Sequence, residues 1–220
     1  MTLIAAAAGV AVLSVAAVAG WVAFVNSVEQ PAYSVVETEG DIEVRDYPAL
    51  VVAEVTRTGG RWDAVRAGFG ALARYIFAKD RGGEGISMTA PVTQEREASA
   101  GKSSEKIAMT APVIQSPAGD GAASDKWTIR FIMPSKYGLD ELPAPASGDV
   151  RLEKLPARRV AAIRFGGVAT DELIAQNEAR LRRWLDARGR ETRGPPTYAY
   201  YNDPWTPGFL RRNEIMFEVR

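Results

Sequence analysis

An internal repeat constrains this chain most. Ile42-Glu43-Val44-Arg45-Asp46-Tyr47-Pro48-Ala49-Leu50-Val51-Val52-Ala53-Glu54-Val55 is echoed by Val150-Arg151-Leu152-Glu153-Lys154-Leu155-Pro156-Ala157-Arg158-Arg159-Val160-Ala161-Ala162-Ile163. Each copy reads as an alternating strand, a Pro-Ala turn and a second alternating strand, that is, a hairpin. Each copy leads through a Gly-containing loop into a helix. The first helix is expected over residues 61–77, where Trp62, Val65, Phe69, Leu72 and Ile76 recur at steps of three and four and so share one face. The second is expected over residues 170–187, with Leu173, Ile174, Leu181, Trp184 and Leu185 as its apolar face. Thr170 and Asp171 cap its start and Gly189 stops it. Further strands are expected at 86–92, 107–114, 127–133, 198–201 and 214–219. Loops are expected at 93–106, 116–126 and 139–149, where polar residues, Gly and Pro collect. A ββα unit with added strands, given twice, predicts an α+β domain with a pseudo-two-fold axis. Its antiparallel strands would form one curved sheet or an open barrel with both helices packed outside.

Residues 3–25 are apolar or small throughout, interrupted only by Gly9, Ser14 and Gly20. As a helix this run is roughly 34 Å long at about 1.5 Å per residue, enough to cross a hydrocarbon core of about 30 Å. Trp21 and Phe24 stand near its far end, where aromatic residues favour the membrane interface, and the first charged side chain is Glu29. A cleaved signal peptide has a basic start and a shorter apolar core. Here no Lys or Arg precedes the run, although Ala17-Val18-Ala19 could serve as a cleavage site. Length favours an uncleaved N-terminal transmembrane helix over residues 1–26, a tether over 27–32 and a folded domain over 33–220. A signal-anchor of this kind puts the domain on the outer, extracytoplasmic face of a single-pass membrane protein.

The chain contains no cysteine and no histidine. That excludes disulfides, thiolate nucleophiles, His-based triads, Cys- or His-bound zinc and His-ligated haem. Lys+Arg and Asp+Glu are equal at 27 each, so the basic excess of a nucleic-acid binder is missing and no such partner is expected. No phosphate loop, dinucleotide fingerprint or pair of carboxylates spaced for acid–base work is present, and no enzyme activity is expected.

Ser87-Met88-Thr89-Ala90-Pro91-Val92 and Ala108-Met109-Thr110-Ala111-Pro112-Val113 are near copies of each other. With Tyr75-Ile76-Phe77 before them, Phe131-Ile132-Met133-Pro134-Ser135-Lys136-Tyr137 after them, and Tyr201-Asn202-Asp203-Pro204-Trp205-Thr206-Pro207 with Arg211-Arg212-Asn213-Glu214 near the end, they form an ordered series of motifs. This series resembles the SOUL haem-binding family from about Tyr33 to the C-terminus. The resemblance implies a distorted antiparallel β-barrel of two pseudo-symmetric halves, each with one packed helix. It also implies haem or a related tetrapyrrole bound in a shallow apolar groove beside the first helix. By position in that helix, the contacts fall on Phe69, Ala73 and Arg74. Lacking histidine, the chain can only resemble members that hold the porphyrin by apolar and ionic contacts.

A porphyrin needs an apolar slot for its ring and cations for its propionates. Arg66 and Arg74 stand ready for the propionates, unless they form only a solvated helix face. Tyr75 is a candidate oxygen ligand or a core-edge tyrosine. Met88 and Met109 either pack against the ring or belong to the core, and their prolines would place the two motifs at bulged edges shaping a barrel mouth. Trp205 and Phe209 either line the groove or clamp the C-terminal loop. Arg211, Arg212 and Glu214 read as a structural ion cluster. The function expected is a membrane-anchored tetrapyrrole carrier or buffer. The alternatives are a membrane-tethered scaffold that binds a protein partner and no pigment, or an enzyme acting on the tetrapyrrole.

Overall fold

The computed structural model describes residues 28–97, 126–203 and 205–220. Within them lie β1 (Ser34–Glu39), β2 (Ile42–Tyr47), β3 (Leu50–Thr58), α1 (Arg61–Ile76), β4 (Val92–Arg96), β5 (Lys126–Ile132), β6 (Arg151–Leu155), β7 (Arg158–Gly166), α2 (Asp171–Ala187), β8 (Thr192–Tyr200) and β9 (Arg212–Val219), with 3₁₀ turns at Leu139–Glu141 and Gly208–Leu210. The apolar run 3–25, the second motif copy with Met109, the expected strand 107–114, most of the expected loops 93–106 and 116–126, and Pro204 lie outside the described residues.

Proline forbids the hairpin expected of each repeat. A two-residue hairpin needs a positive φ at its first central residue, and proline is locked near −65°. Pro48-Ala49 and Pro156-Ala157 therefore turn corners, and the strands exchange partners between repeats: β2 pairs with β7, and β3 with β6. The register does not slip across the corner. Tyr47 faces Arg158 before it, and Leu50 faces Leu155 after it. One long antiparallel ladder thus runs through both repeats, and the pseudo-two-fold axis passes between the two Pro-Ala corners.

All strand pairings are antiparallel, in the order β1-β2-β7-β9-β8-β4-β5-β3-β6. The two ends, β1 and β6, do not pair, so the sheet is not a closed barrel. The corners join its distant parts through the chain in place of hydrogen bonds. Alternation sorts each strand between two sides. Ala161, Ile163, Ile215 and Phe217 enter the large core under the helices, while Val160, Ala162 and Met216 form a smaller cluster on the opposite face with Tyr47 and Ala199.

Helix α1 packs on β3 and β5, and α2 on β7 and β9. The buried face of α1 is Ala64, Gly68, Ala71, Leu72, Tyr75 and Ile76, so Leu72 and Ile76 of the expected stripe are joined by small residues that periodicity does not single out. The small residues let the axis approach the sheet. A Cβ on Gly68 would meet Ile129 at 2.8 Å. Trp62 and Val65 flank that contact, half-buried, and Phe69 turns outward at 41% exposure. Helix α2 follows its expected face, with Thr170 Oγ1 accepting from the Leu173 amide at 3.2 Å.

The first Met-Thr-Ala-Pro-Val copy is not the strand expected over 86–92. The ladder begins only at Val92, after Pro91, which has no N–H to donate, and it runs on through the first residues of an expected loop. Before it, the Ala90 amide donates to Glu29 O at 2.9 Å, and the Thr89 hydroxyl donates to Ile132 O. The motif thus pins the start of the domain to the end of β5. Strand β8 begins earlier than expected, and its Pro195-Pro196 coincide with a register break between Arg193 and Thr197.

Candidate ligand-binding site

The outward face of α1 carries the residues expected to meet a ring. Phe69, Ala73 and Phe77 follow at intervals of four, spanning about 12 Å at about 1.5 Å per residue. Phe69 is 41% and Phe77 52% exposed, while Ala73 between them is half-buried and low. The Phe69 ring meets Phe131 edge-on at 5.2 Å, which fixes one end of this saddle. Arg66 and Arg74 flank it, both exposed. Arg66 pairs with Asp63 at 2.7 Å, and Arg74 with Asp80 at 2.8 Å. Exposed pairs of this kind contribute about 0–1 kcal/mol, so either arginine can turn to another anion at little cost.

Tyr75 stands on the opposite side of the helix. It is buried, its hydroxyl donates to Pro143 O at 2.8 Å, and burial raises its pKa. Met88 is half-buried against the main core. Trp205 is 86% exposed on the β8–β9 connection, where Asp203 Oδ1 accepts from the amides of Trp205 and Thr206 at 2.8 and 2.9 Å. The structure therefore brings Arg66, Phe69, Ala73 and Arg74 onto one surface. It sets Tyr75 inside the core and places Trp205 beside the other half of the sheet. A hollow of about 10 Å³ near Arg74, Tyr75 and Val150 holds at most a water, so a ligand of α1 lies on its surface.

The face of the sheet away from the helices is charged, which strand periodicity does not reveal. Arg45, 1% exposed, grips Glu214 with two bonds, Nη1 to Oε2 at 2.7 Å and Nη2 to Oε1 at 3.0 Å. Arg45 Nε reaches Glu43 at 2.7 Å, Arg212 Nη2 reaches Glu214 Oε1 at 2.7 Å, and the Tyr201 hydroxyl donates to Glu214 Oε2 at 2.8 Å. Burial works against the Glu214 carboxylate, but the hydrogen bonds and charges of Arg45 and Arg212 overcome it and hold its pKa below the usual range. Burial, then the charge of Glu214, pushes the Tyr201 phenol well up. The expected ion cluster of Arg212 and Glu214 is present, completed by an unforeseen Arg45. Arg211 Nε donates to Thr206 O at 2.7 Å.

Beside this network lies a cleft of about 170 Å³ lined from eight strands, which shows that the sheet curls around it. Its charged lining residues are Glu95, Arg130, Arg158, Arg193 and Glu218. Arg130 is paired with Glu54 and Glu95, both at 2.9 Å. The cleft is smaller than the roughly 300–1,000 Å³ of a drug-sized ligand site.

Known proteins resemble this chain in sequence and in fold. The C-terminal domain of EcmrR superposes with a TM-score of 0.56 at 12% identity, covering 86% of this chain and 98% of that one. A hydrolase encoded by lin2189 from Listeria innocua superposes with a TM-score of 0.53 at 11% identity, covering 84% and 94%. These two likenesses are of fold. Heme-binding protein 1 of Bos taurus is 24% identical over 153 residues, which is 70% of this chain and 69% of that protein. The pattern of the SOUL heme-binding proteins matches residues 28–104 and again 98–218, spanning both repeats. The chain belongs to the SOUL heme-binding protein family.

Proposed function

We propose that this protein binds haem or a related tetrapyrrole flat on the outward face of α1 and acts as a carrier or buffer. The observation that carries this reading is the exposed Phe69–Ala73–Phe77 saddle between Arg66 and Arg74, in a chain of the SOUL family. Phe69 and Phe77 would grip the ring edges, and the two arginines would exchange their surface aspartates for propionates. The face offers no imidazole, and the Tyr75 hydroxyl is held by Pro143 O, so nothing there ligates iron. Binding should then be indifferent to the metal. In titrations of the full chain in detergent, hemin and iron-free protoporphyrin IX should quench tryptophan fluorescence with affinities within about threefold. Phe69→Ala and Phe77→Ala together should weaken both about tenfold or more, the expected loss of two aromatic contacts. An absence of saturable quenching by either compound would refute the reading.

The same reading attaches the domain to a membrane through residues 3–25. Two observations support it. Trp205 and Phe209 are 86% and 84% exposed on one loop, a costly display unless covered. Gln30, near the start of the described chain, accepts a hydrogen bond from Arg212 just after that loop, at 3.2 Å. The described chain therefore begins close to this loop, and a membrane segment preceding it would approach the bilayer from that side.

A further inference from the structure

The concave cleft holds a cation that the rest of the molecule does not use. Arg158 is half-buried at the start of β7, facing the cleft. Among the described residues it makes no hydrogen bond and no ion pair, although four acidic or phenolic groups lie on the same side. Glu95 is held by Arg130 at 2.9 Å, and Glu218 lies 3.7 Å from Arg193. Glu214 is held by Arg45 and Arg212, and Tyr47 takes a bond from Arg45 at 3.4 Å. Burial, and then the neighbouring charge of Arg130, disfavour the Arg158 cation, and the more distant Glu218, Tyr47 and Glu95 offset this only in part. Its donors face the cleft with no protein partner among the described residues, which leaves them available to an anion.

The geometry points to the cleft as a second binding site, for a compact monocarboxylate with an apolar body whose carboxylate pairs with Arg158. Leu50, Val52, Ile132, Leu155, Val160 and Met216 supply the apolar wall. The size, about 170 Å³, suits a single ring or a short branched chain and excludes a tetrapyrrole. A single negative charge matches the single unpaired arginine, whereas a second would face Glu95 and Glu218. The site does not depend on the α1 surface, and binding at either can fail without the other.

Benzoate is the probe, with benzamide as its neutral twin, titrated calorimetrically into the full chain in detergent. Benzoate should bind saturably and about tenfold or more tighter than benzamide, the expected effect of a charge-assisted bond. Arg158→Gln should abolish that preference while leaving the unliganded melting temperature equal or higher, because an unpaired charge has been removed. Absence of saturation at millimolar benzoate, or an unchanged preference in Arg158→Gln, overturns the proposal. Should that variant not fold, methyl NMR of the parent decides. Benzoate must shift Leu155, Val160 and Met216, and shifts confined to other residues overturn the assignment.

Discussion

At the scale of single residues, the molecule is organised around a charge that its own pattern does not announce. Alternation in Glu43-Val44-Arg45-Asp46-Tyr47 puts Arg45 on the side of Tyr47, opposite the Val44 that enters the helix-side core. Periodicity stops there, because the partner that makes burial tolerable is Glu214, 169 residues away. The same limit hid Arg158, whose significance is the lack of a partner. Arg66, Phe69, Ala73 and Arg74 share one surface because a single helix sets their spacing. The Glu214 network predicts a defined acid response. Its carboxyl has a folded pKa below the ordinary 4.5, so its stabilisation is complete above that value and is lost as pH falls through the depressed folded value. Glu214→Gln should remove this part of the acid dependence and, at neutral pH, cost about 3–5 kcal/mol, because Arg45 and Arg212 remain with their counter-charge gone. Urea unfolding at neutral and acid pH measures both effects. A loss below about 1 kcal/mol would show that water reaches the pair.

At the scale of elements, both helices and most strands were legible, whereas β1, β4 and the strand partners were not. Both helices lie where their apolar steps put them, and α2 follows its capping signals. The strands of the repeat are present too, but Pro48 and Pro156 hand each strand to the other repeat. That outcome follows from turn chemistry more than from hydrophobic pattern. The buried face of α1 was read only in part, because the small residues Ala64, Gly68 and Ala71 carry little hydrophobic signal while allowing a close approach. The pseudo-symmetry also supplies an internal control at the helix ends. After α2, the Arg190 amide bonds Leu185 O and the Gly189 amide bonds Asp186 O, with Gly189 at φ 61°. After α1, the Lys79 amide bonds Arg74 O and the Ala78 amide bonds Tyr75 O, with Ala78 at φ 55°. The same left-handed terminus is thus made once with glycine and once with alanine, whose Cβ makes that conformation unfavourable by about 1–2 kcal/mol. Ala78→Gly should therefore stabilise the domain by about 1 kcal/mol, less a contribution from greater unfolded-chain freedom. The converse change, Gly189→Ala, should destabilise it by a similar amount. Thermal unfolding of the two variants checks the pair, and a loss of stability in Ala78→Gly would contradict this account of the α1 terminus.

At the scale of the whole molecule, the sheet divides two kinds of surface. The helix side presents the α1 saddle, and the concave side presents the charged network and the Arg158 cleft. The start of the described chain lies on the concave side, with Pro31 in the cleft wall, Glu29 pinned by the Ala90 amide and Gln30 by Arg212. If residues 3–25 cross a bilayer, this attachment leaves little slack, and the loop with Trp205 and Phe209 faces the membrane interface. The corners at Pro48 and Pro156 instead belong to the two-fold seam of the sheet. The chain has no cysteine, so a single introduced thiol labels one site only. Phe209→Cys carrying a polarity-sensitive nitrobenzoxadiazole dye, in the full chain reconstituted into lipid vesicles, should emit to the blue of the same dye at Ala157→Cys in the exposed Pro-Ala corner. Brominated lipids should quench the first dye and spare the second, since aromatic side chains at this level sit among headgroups and upper acyl carbons. Equal, water-like emission from both sites would detach the loop from the membrane and leave residues 3–25 as the domain's sole proposed contact with it.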